Sequence, residues 1–203
     1  MIKLSIRGEK QAVKTEKEIL NEKEKNNVRE LAEMYLCSKI LSDEIYKTVE
    51  QAVETEKEIS TLLALKTGKP LNSIYRDKND LPVYNTPSLF RYWQAMQDIC
   101  KERHVPNDKI PNLNEILSKY QNIIHFISQV TNEINLNSLI ENNTDVIFEI
   151  VLFYNQRPLP TQKKKVKQDI LTKITKYPKI QEKLIDKQKA DLAIRREGMI
   201  RVD

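Results

Sequence analysis

Residues 113–134 read LNEILSKYQNIIHFISQVTNEI and carry the clearest helical pattern in the chain. Their apolar side chains recur at steps of three and four residues, which is the spacing of one face of an α-helix. That face comprises Ile116, Leu117, Tyr120, Ile123, Ile124, Ile127, Val130 and Ile134. We therefore predict one continuous helix from Leu113 to Ile134 with a buried side.

Weaker forms of the same pattern predict helices elsewhere in the chain. They cover residues 9–24, 26–41, 43–66, 137–155, 161–176 and 179–196, together with a helix that opens at Thr86-Pro87. Alternation of apolar and polar residues over 2–7 favours a short strand, with 199–202 as its only pairing candidate. The sequence thus predicts a mainly α-helical bundle of about six to eight helices, with room for short terminal β-strands.

Glycine is scarce, since Gly8, Gly68 and Gly198 are the only three in 203 residues. Glycine supplies the positive-φ turns and close backbone approaches that phosphate-binding loops and nucleophile elbows require. Enzymes built on glycine-rich loops are therefore excluded. Gly68 itself is expected to end the third helix in a left-handed conformation, because Pro70 cannot continue a helix.

Composition divides the chain into four parts. They are a charged N-terminal helical region, a proline-containing linker or loop, a helical core bundle and a basic C-terminal helical region. Their predicted bounds are 1–66, 67–86, 87–156 and 157–203. Residues 11–19 and 51–59 match at eight of nine positions. Without a third copy we interpret this as coincidence or a local duplication rather than a repeat array.

The positive charge is concentrated in the last part of the chain. Residues 157–203 contain 14 Lys and Arg against 6 Asp and Glu, whereas residues 1–156 contain 20 against 23. Clustered lysines neutralise phosphates, so this region is a candidate nucleic-acid interface that contacts the backbone without base specificity. The alternatives are a solvated helix face, a nuclear localisation signal and a patch for an acidic protein surface. The predicted binding residues are Lys163, Lys164, Lys165, Lys167, Lys173, Lys176 and Lys179. Phe153, Tyr154 and Tyr177 flank them and either stack on bases or pack in the core.

Residue patterns for catalysis are scarce. His104 is expected at a helix end and His125 on an exposed face, and neither has metal-ligand spacing to another residue. A nucleophilic pair of Cys100 with His104 is sterically conceivable but lacks an oxyanion hole. Cys37 and Cys100 are expected to be free buried thiols in a reducing compartment. We predict no catalytic residue, no metal ligand and no cofactor.

Three functions are compatible with these features. The first is a non-enzymatic helical subunit of a nucleoprotein assembly of viral, phage or ribonucleoprotein type, which touches nucleic acid through its basic C-terminal quarter. The second is a protein-binding adaptor or scaffold with exposed charged helices, and the third a metal-dependent nucleic-acid enzyme. The expected partners are nucleic acid, proteins or further copies of the chain. The expected location is the cytoplasm, the nucleus or a virus particle, without secretion or membrane insertion.

Overall fold

The structure is a computed structural model that describes residues 22–53, 55–79, 86–133, 135–156 and 164–200. The first helix, α1, runs over Glu22–Lys39, continues as a π-helix over Ile40–Tyr46 and closes with α-helical residues Lys47–Glu50. It is followed by α2 (Glu56–Thr67), α3 (Leu71–Asn79), α4 (Thr86–Glu102), α5 (Leu113–Lys119), α6 (Gln121–Val130), α7 (Leu136–Asn142), α8 (Thr144–Gln156), α9 (Lys164–Thr175) and α10 (Pro178–Ile200).

The predicted all-α class is confirmed, with ten helices in the described part of the chain instead of six to eight. Each of the ten contributes at least one buried apolar side chain to a single hydrophobic cluster. Among the most deeply buried are Leu31 and Ile45 of α1, Tyr92 of α4 and Phe126 of α6. The four-part division of the chain stays a prediction, and described residues from all four parts contribute to this cluster.

Two predicted helix boundaries are confirmed. Helix α2 ends at Thr67, and Gly68 adopts the left-handed conformation expected of it, with φ of 69°. Helix α4 begins at Thr86, where threonine followed by proline suits the first turn of a helix.

Three helices that we predicted as continuous are broken. The helix expected over 43–66 stops at Glu50 and restarts at Glu56, because extended Thr55 caps the second piece by accepting a hydrogen bond from Glu58 N–H (3.2 Å). This break falls within 51–59, so that copy of the repeated nonapeptide spans a helix end and a helix start. The other copy lies outside the described residues.

The helix expected over 113–134 is likewise divided, at Tyr120, whose backbone leaves the helical region. Of its predicted apolar face, Ile116, Tyr120, Ile123 and Val130 are buried, Leu117, Ile124 and Ile127 are partly buried, and Ile134 lies outside the described residues. Phe126 is completely buried, although the predicted apolar face did not include it. Similarly, the helix expected over 137–155 is divided at Asn143 into α7 and α8. Apolar spacing continues across a tight break, so periodicity alone does not detect it.

Helix α3 lies in the segment that we predicted as a loop. The carbonyl of Pro70 accepts hydrogen bonds from the N–H groups of Ser73 and Ile74, which starts the helix. Burial of Ile74 and a hydrogen bond from Tyr92 OH to Asp77 (2.8 Å) then hold it against α4. Tertiary contacts therefore outweigh the weak local helix propensity of this segment.

The π-helix within α1 had no counterpart in the sequence prediction. Asp43 lies inside it, with its carboxylate 2.5 Å from Lys39 Nζ and accepting a hydrogen bond from Ser42 Oγ (3.1 Å). Burial by itself would raise the pKa of Asp43, but Lys39 and Ser42 hold that pKa below its ordinary value. These polar contacts therefore lie within a helix type that is rare in proteins.

The described residues form no strand. Residues 2–7, predicted as a strand, lie outside the described residues. The proposed pairing segment is wrong for Met199 and Ile200, because both belong to the last turn of α10. None of the helices in the described part of the chain has the length and apolar composition needed to cross a membrane.

Candidate nucleic-acid interface

Helix α9 is attached to α1 in antiparallel orientation. Lys167 pairs with Glu30 and, six residues further along α9, Lys173 pairs with Glu24, six residues back along α1. Between and beside these two pairs α9 buries Ile170, Leu171 and Ile174. The helix that carries most of the predicted binding lysines is therefore an integral part of the core.

Lys167 is buried, with 4% of its surface exposed. Its Nζ atom lies 2.5 Å from Glu30 Oε2 and 3.6 Å from Met34 Sδ. Buried charges require such a partner, because an isolated ammonium group away from water is strongly unfavourable. Lys167 and Lys173 thus hold α9 on α1 through their pairs with Glu30 and Glu24. The side chain of Lys167 does not reach the surface.

Lys176 and Lys179 are exposed at the turn between α9 and α10. Neither forms an ion pair with any residue in the described ranges. Lys164 and Lys165 occupy the first turn of α9, and Lys163 lies outside the described residues. The structure thus divides the predicted set into two lysines committed to glutamates, two exposed lysines and three whose side chains it does not describe.

The aromatic side chains near this region are used internally. The Phe153 ring lies 5.3 Å from that of Tyr35 and 5.0 Å from that of Tyr154, in edge-on contacts. Tyr154 OH donates to the carbonyl oxygen of Leu31 (2.9 Å). Tyr177 OH donates to Glu141 (2.9 Å), and its partial burial and this carboxylate raise its pKa. Of the two interpretations left open for Phe153 and Tyr154, core packing is the one that the structure supports.

Helix α10 packs against α8 only through its first turns. Ile180 is buried and Leu184 is partly buried, and Lys183 pairs with Asp145 (2.7 Å). From Ile185 to Arg195 every residue is exposed. Three of these residues are large and apolar, namely Ile185, Leu192 and Ile194, with exposed fractions of 50, 56 and 68%.

The histidines and cysteines have structural positions. Cys37 and Cys100 are free and buried, as predicted. Burial raises the pKa of Cys37 to about 12 and also raises that of Cys100. His104 is exposed at the end of α4 with φ of 57°, and exposed His125 contacts Gln129 (2.8 Å). For the conceivable Cys100–His104 nucleophile, the structure shows a buried Cys100 thiol and an exposed His104 in a left-handed conformation. Among the described residues no group of His, Cys, Asp and Glu has the arrangement of a metal site.

Searches of protein-family models, curated proteins and solved structures find no match to this chain. The functional proposal therefore depends on the geometry of the molecule. That geometry contains two features that sequence reasoning missed. The first is the burial of Lys167, which lies on the apolar face of α9 because it precedes Ile170 by three residues. The second is a groove beside Trp93, formed by helices that sequence alone does not bring together.

Proposed function

We propose that the protein is a non-enzymatic helical subunit of a nucleoprotein assembly, of viral, phage or ribonucleoprotein type, that binds nucleic-acid phosphates at the turn between α9 and α10. The observation that supports this proposal is the exposure of Lys176 and Lys179 on either side of that turn, without a carboxylate partner in the described part of the chain. Both helices lie within residues 157–203, the part of the chain in which Lys and Arg outnumber Asp and Glu. An intracellular location is part of the same proposal.

The lysines of α9 and of the turn after it have two different roles in this proposal. Lys167 and Lys173 are paired with glutamates and fix the helix on α1. Lys176 and Lys179 remain available for phosphates, and Lys164 and Lys165 follow at the other end of α9, about 18 Å away along the helix axis. Lysines at this separation suit a nucleic-acid backbone, which carries regularly spaced charge, better than they suit a small anion.

The test is the double variant K176Q/K179Q, compared with wild type for binding a labelled DNA or RNA duplex over a series of salt concentrations. Loss of two phosphate contacts on B-DNA is expected to reduce the slope of log K against log salt by about 1.8 and to weaken binding at low salt. The matched control is K57Q/K109Q, which removes two exposed lysines outside α9 and α10. Equal binding and equal slopes for all three proteins would contradict the proposal.

Point substitutions are preferable to removal of residues 157–203. Ile170, Leu171 and Ile174 of α9 and Ile180 of α10 belong to the hydrophobic cluster. Truncation would expose the apolar surface of α1 and α8 that these side chains cover, so loss of binding could follow from unfolding alone.

The exposed part of α10 favours a second candidate, a protein-binding adaptor. Ile185, Leu192 and Ile194 make this part of the helix more apolar than a purely solvated helix requires. The variant I185S/L192S/I194S is expected to keep the stability of wild type and to lose a protein partner that wild type retains after nuclease treatment. Retention of the same partner by both proteins would remove the reason for this candidate.

A further inference from the structure

A groove of about 400 Å³ lies along the outer side of α4, next to the end of α2. Lys66 and Thr67 of α2 line one side of it, and Arg91, Trp93 and Lys101 of α4 line the other. No feature of the sequence pointed to this region, because α2 and α4 are separated by α3 along the chain. The groove lies apart from the lysines at the α9–α10 turn, so a ligand of the groove would bind independently of the proposed phosphate contacts there.

The charges of the groove are only partly neutralised. Lys66 pairs with Glu102, and Asp98 is the one acidic residue among those that line the groove. Arg91 and Lys101 are exposed and form no ion pair with any residue in the described ranges. Arginine and lysine side chains without a carboxylate partner can bind an anionic group at little cost, because no existing pair has to be broken.

The aromatic side chain that lines the groove is Trp93 of α4, and the ring of Phe90 lies beside that of Trp93. Trp93, the only tryptophan of the chain, packs partly against the core and lines the groove with the rest of its ring. Phe90 is 42% exposed, with its ring centre 5.3 Å from that of Trp93 and the two planes inclined by 31°. Exposed aromatic rings next to cations are the combination that binds nucleic-acid bases by stacking and their phosphates by charge.

We propose that this groove binds a nucleotide unit, with the base on the rings of Trp93 and Phe90 and the phosphate at Arg91 and Lys101. Trp93 and Lys101 are eight residues apart, or about 12 Å along the helix axis, and both line the groove together with Arg91. An apolar peptide fits the groove less well, since it would remove both cations from water without providing a partner.

Trp93 allows the proposal to be tested directly, because it is the only tryptophan of the chain and lines the groove. The probes are ATP and a short oligothymidylate, each titrated into the full chain at low salt. Saturable quenching is expected with at least one probe. Quenching by both probes indicates a free nucleotide as an adequate ligand, whereas quenching by the oligonucleotide alone indicates a unit within a strand.

Variants then assign the contacts. R91Q/K101Q is expected to weaken binding about tenfold or more, since each lost charge contact carries a large share of the affinity. F90A is expected to weaken binding of both probes without loss of helical circular dichroism. K57Q/K109Q, which removes the same charge elsewhere, and K176Q/K179Q should leave the quenching curve unchanged.

Two results would overturn the groove assignment: no quenching by either probe, or an equal loss in K57Q/K109Q and R91Q/K101Q. Comparison of duplex binding with Trp93 fluorescence separates this proposal from that for the α9–α10 turn. Duplex binding that depends on Lys176 and Lys179, with no quenching of Trp93 by ATP or the oligothymidylate, would support the proposed function and contradict the groove. Quenching by either probe, with duplex binding that does not depend on Lys176 and Lys179, would support the groove and contradict the proposed function.

Discussion

Lys167 and Glu30 form an ion pair whose ammonium end is buried and whose carboxylate end is open to solvent. The lysine has 5% of its side chain exposed and the glutamate 45%. The two partners therefore contribute unequally to stability, because only the lysine would be left in an apolar environment if the pair were broken.

This asymmetry predicts opposite outcomes for two substitutions. E30Q leaves the buried ammonium group without its carboxylate and is expected to lower the free energy of unfolding by about 1–3 kcal/mol. K167M places an unbranched apolar side chain of similar size beside Met34 and removes the charge, so stability should stay within about 1 kcal/mol of wild type or rise. Urea unfolding followed by circular dichroism measures both. E33Q, which breaks the exposed Arg29–Glu33 pair, is the control and should cost no more than about 0.5 kcal/mol. Equal losses for E30Q and E33Q would refute the asymmetry.

Helices α2 and α4 are each followed by a residue in the left-handed conformation, Gly68 and His104 respectively. At the end of α4, His104 N–H donates to Lys101 O (3.1 Å) and Val105 N–H donates to Cys100 O (2.9 Å), which is the Schellman pattern with His104 in the left-handed position. Gly68 has the same conformation after α2, and a Cβ atom there would meet nothing within 4 Å. The two positions therefore form a reciprocal test of backbone strain.

H104G should stabilise the protein by about 1 kcal/mol, and G68A should destabilise it by about 1 kcal/mol or more, since a side chain in the left-handed region is strained. The corresponding changes in Tm are about 2–4 °C in opposite directions. Scanning calorimetry of both variants checks this. If the two changes have the same sign, the conformation of His104 is not the one described.

Three buried tyrosines predict a loss of stability at alkaline pH. Burial and a neighbouring carboxylate raise the pKa of Tyr35, Tyr92 and Tyr120 above the ordinary value of 10.0. The carboxylates belong to Glu149, Asp77 and Glu44 respectively.

Because the folded state keeps these hydroxyls protonated, their contribution is complete below pH 10 and is lost as pH rises from there towards the folded-state values. Above about pH 10 the free energy of unfolding should fall by about 1.4 kcal/mol per pH unit for each tyrosine that stays protonated. Tyrosinate absorbance of these residues should appear together with loss of helical circular dichroism. Their ionisation in a fully helical protein would show that they are accessible to water.

The start of α5 provides a further test of local stability. Asn112 Oδ1 accepts a hydrogen bond from Glu115 N–H (2.9 Å), and Glu115 Oε2 accepts one from Asn112 N–H (2.8 Å), which completes a capping box. N112A removes the first bond and should cost about 1 kcal/mol, measured by urea unfolding. N114A changes an exposed residue of the same helix without a cap and should have little effect. A larger loss in N114A than in N112A would contradict the role of the cap.

Local chemistry predicted some features of this fold and tertiary contacts determined the rest. Gly68 and Thr86-Pro87 are recognisable because their backbone preferences act within a few residues. The break at Tyr120 and helix α3 depend on what packs against them, as Ile74 and the Asp77–Tyr92 bond show. Among the candidate binding residues, Lys167 belongs to a run of lysines that is also typical of a solvated helix face. Only its spacing of three and seven residues from Ile170 and Ile174 indicates that it lies on the buried face of α9.

The ion pairs between α1 and α9 also affect when the chain can fold during synthesis. The residues of each pair are far apart in the sequence: Glu24 and Lys173 are separated by 149 residues, and Glu30 and Lys167 by nearly as many. Contacts between such distant residues are slow to form, because the intervening chain must be ordered first. Helix α1 leaves the ribosome long before α9 exists, so its apolar side facing α9 is exposed to other proteins throughout elongation. The nascent chain is therefore expected to depend on chaperones until residue 174 has emerged.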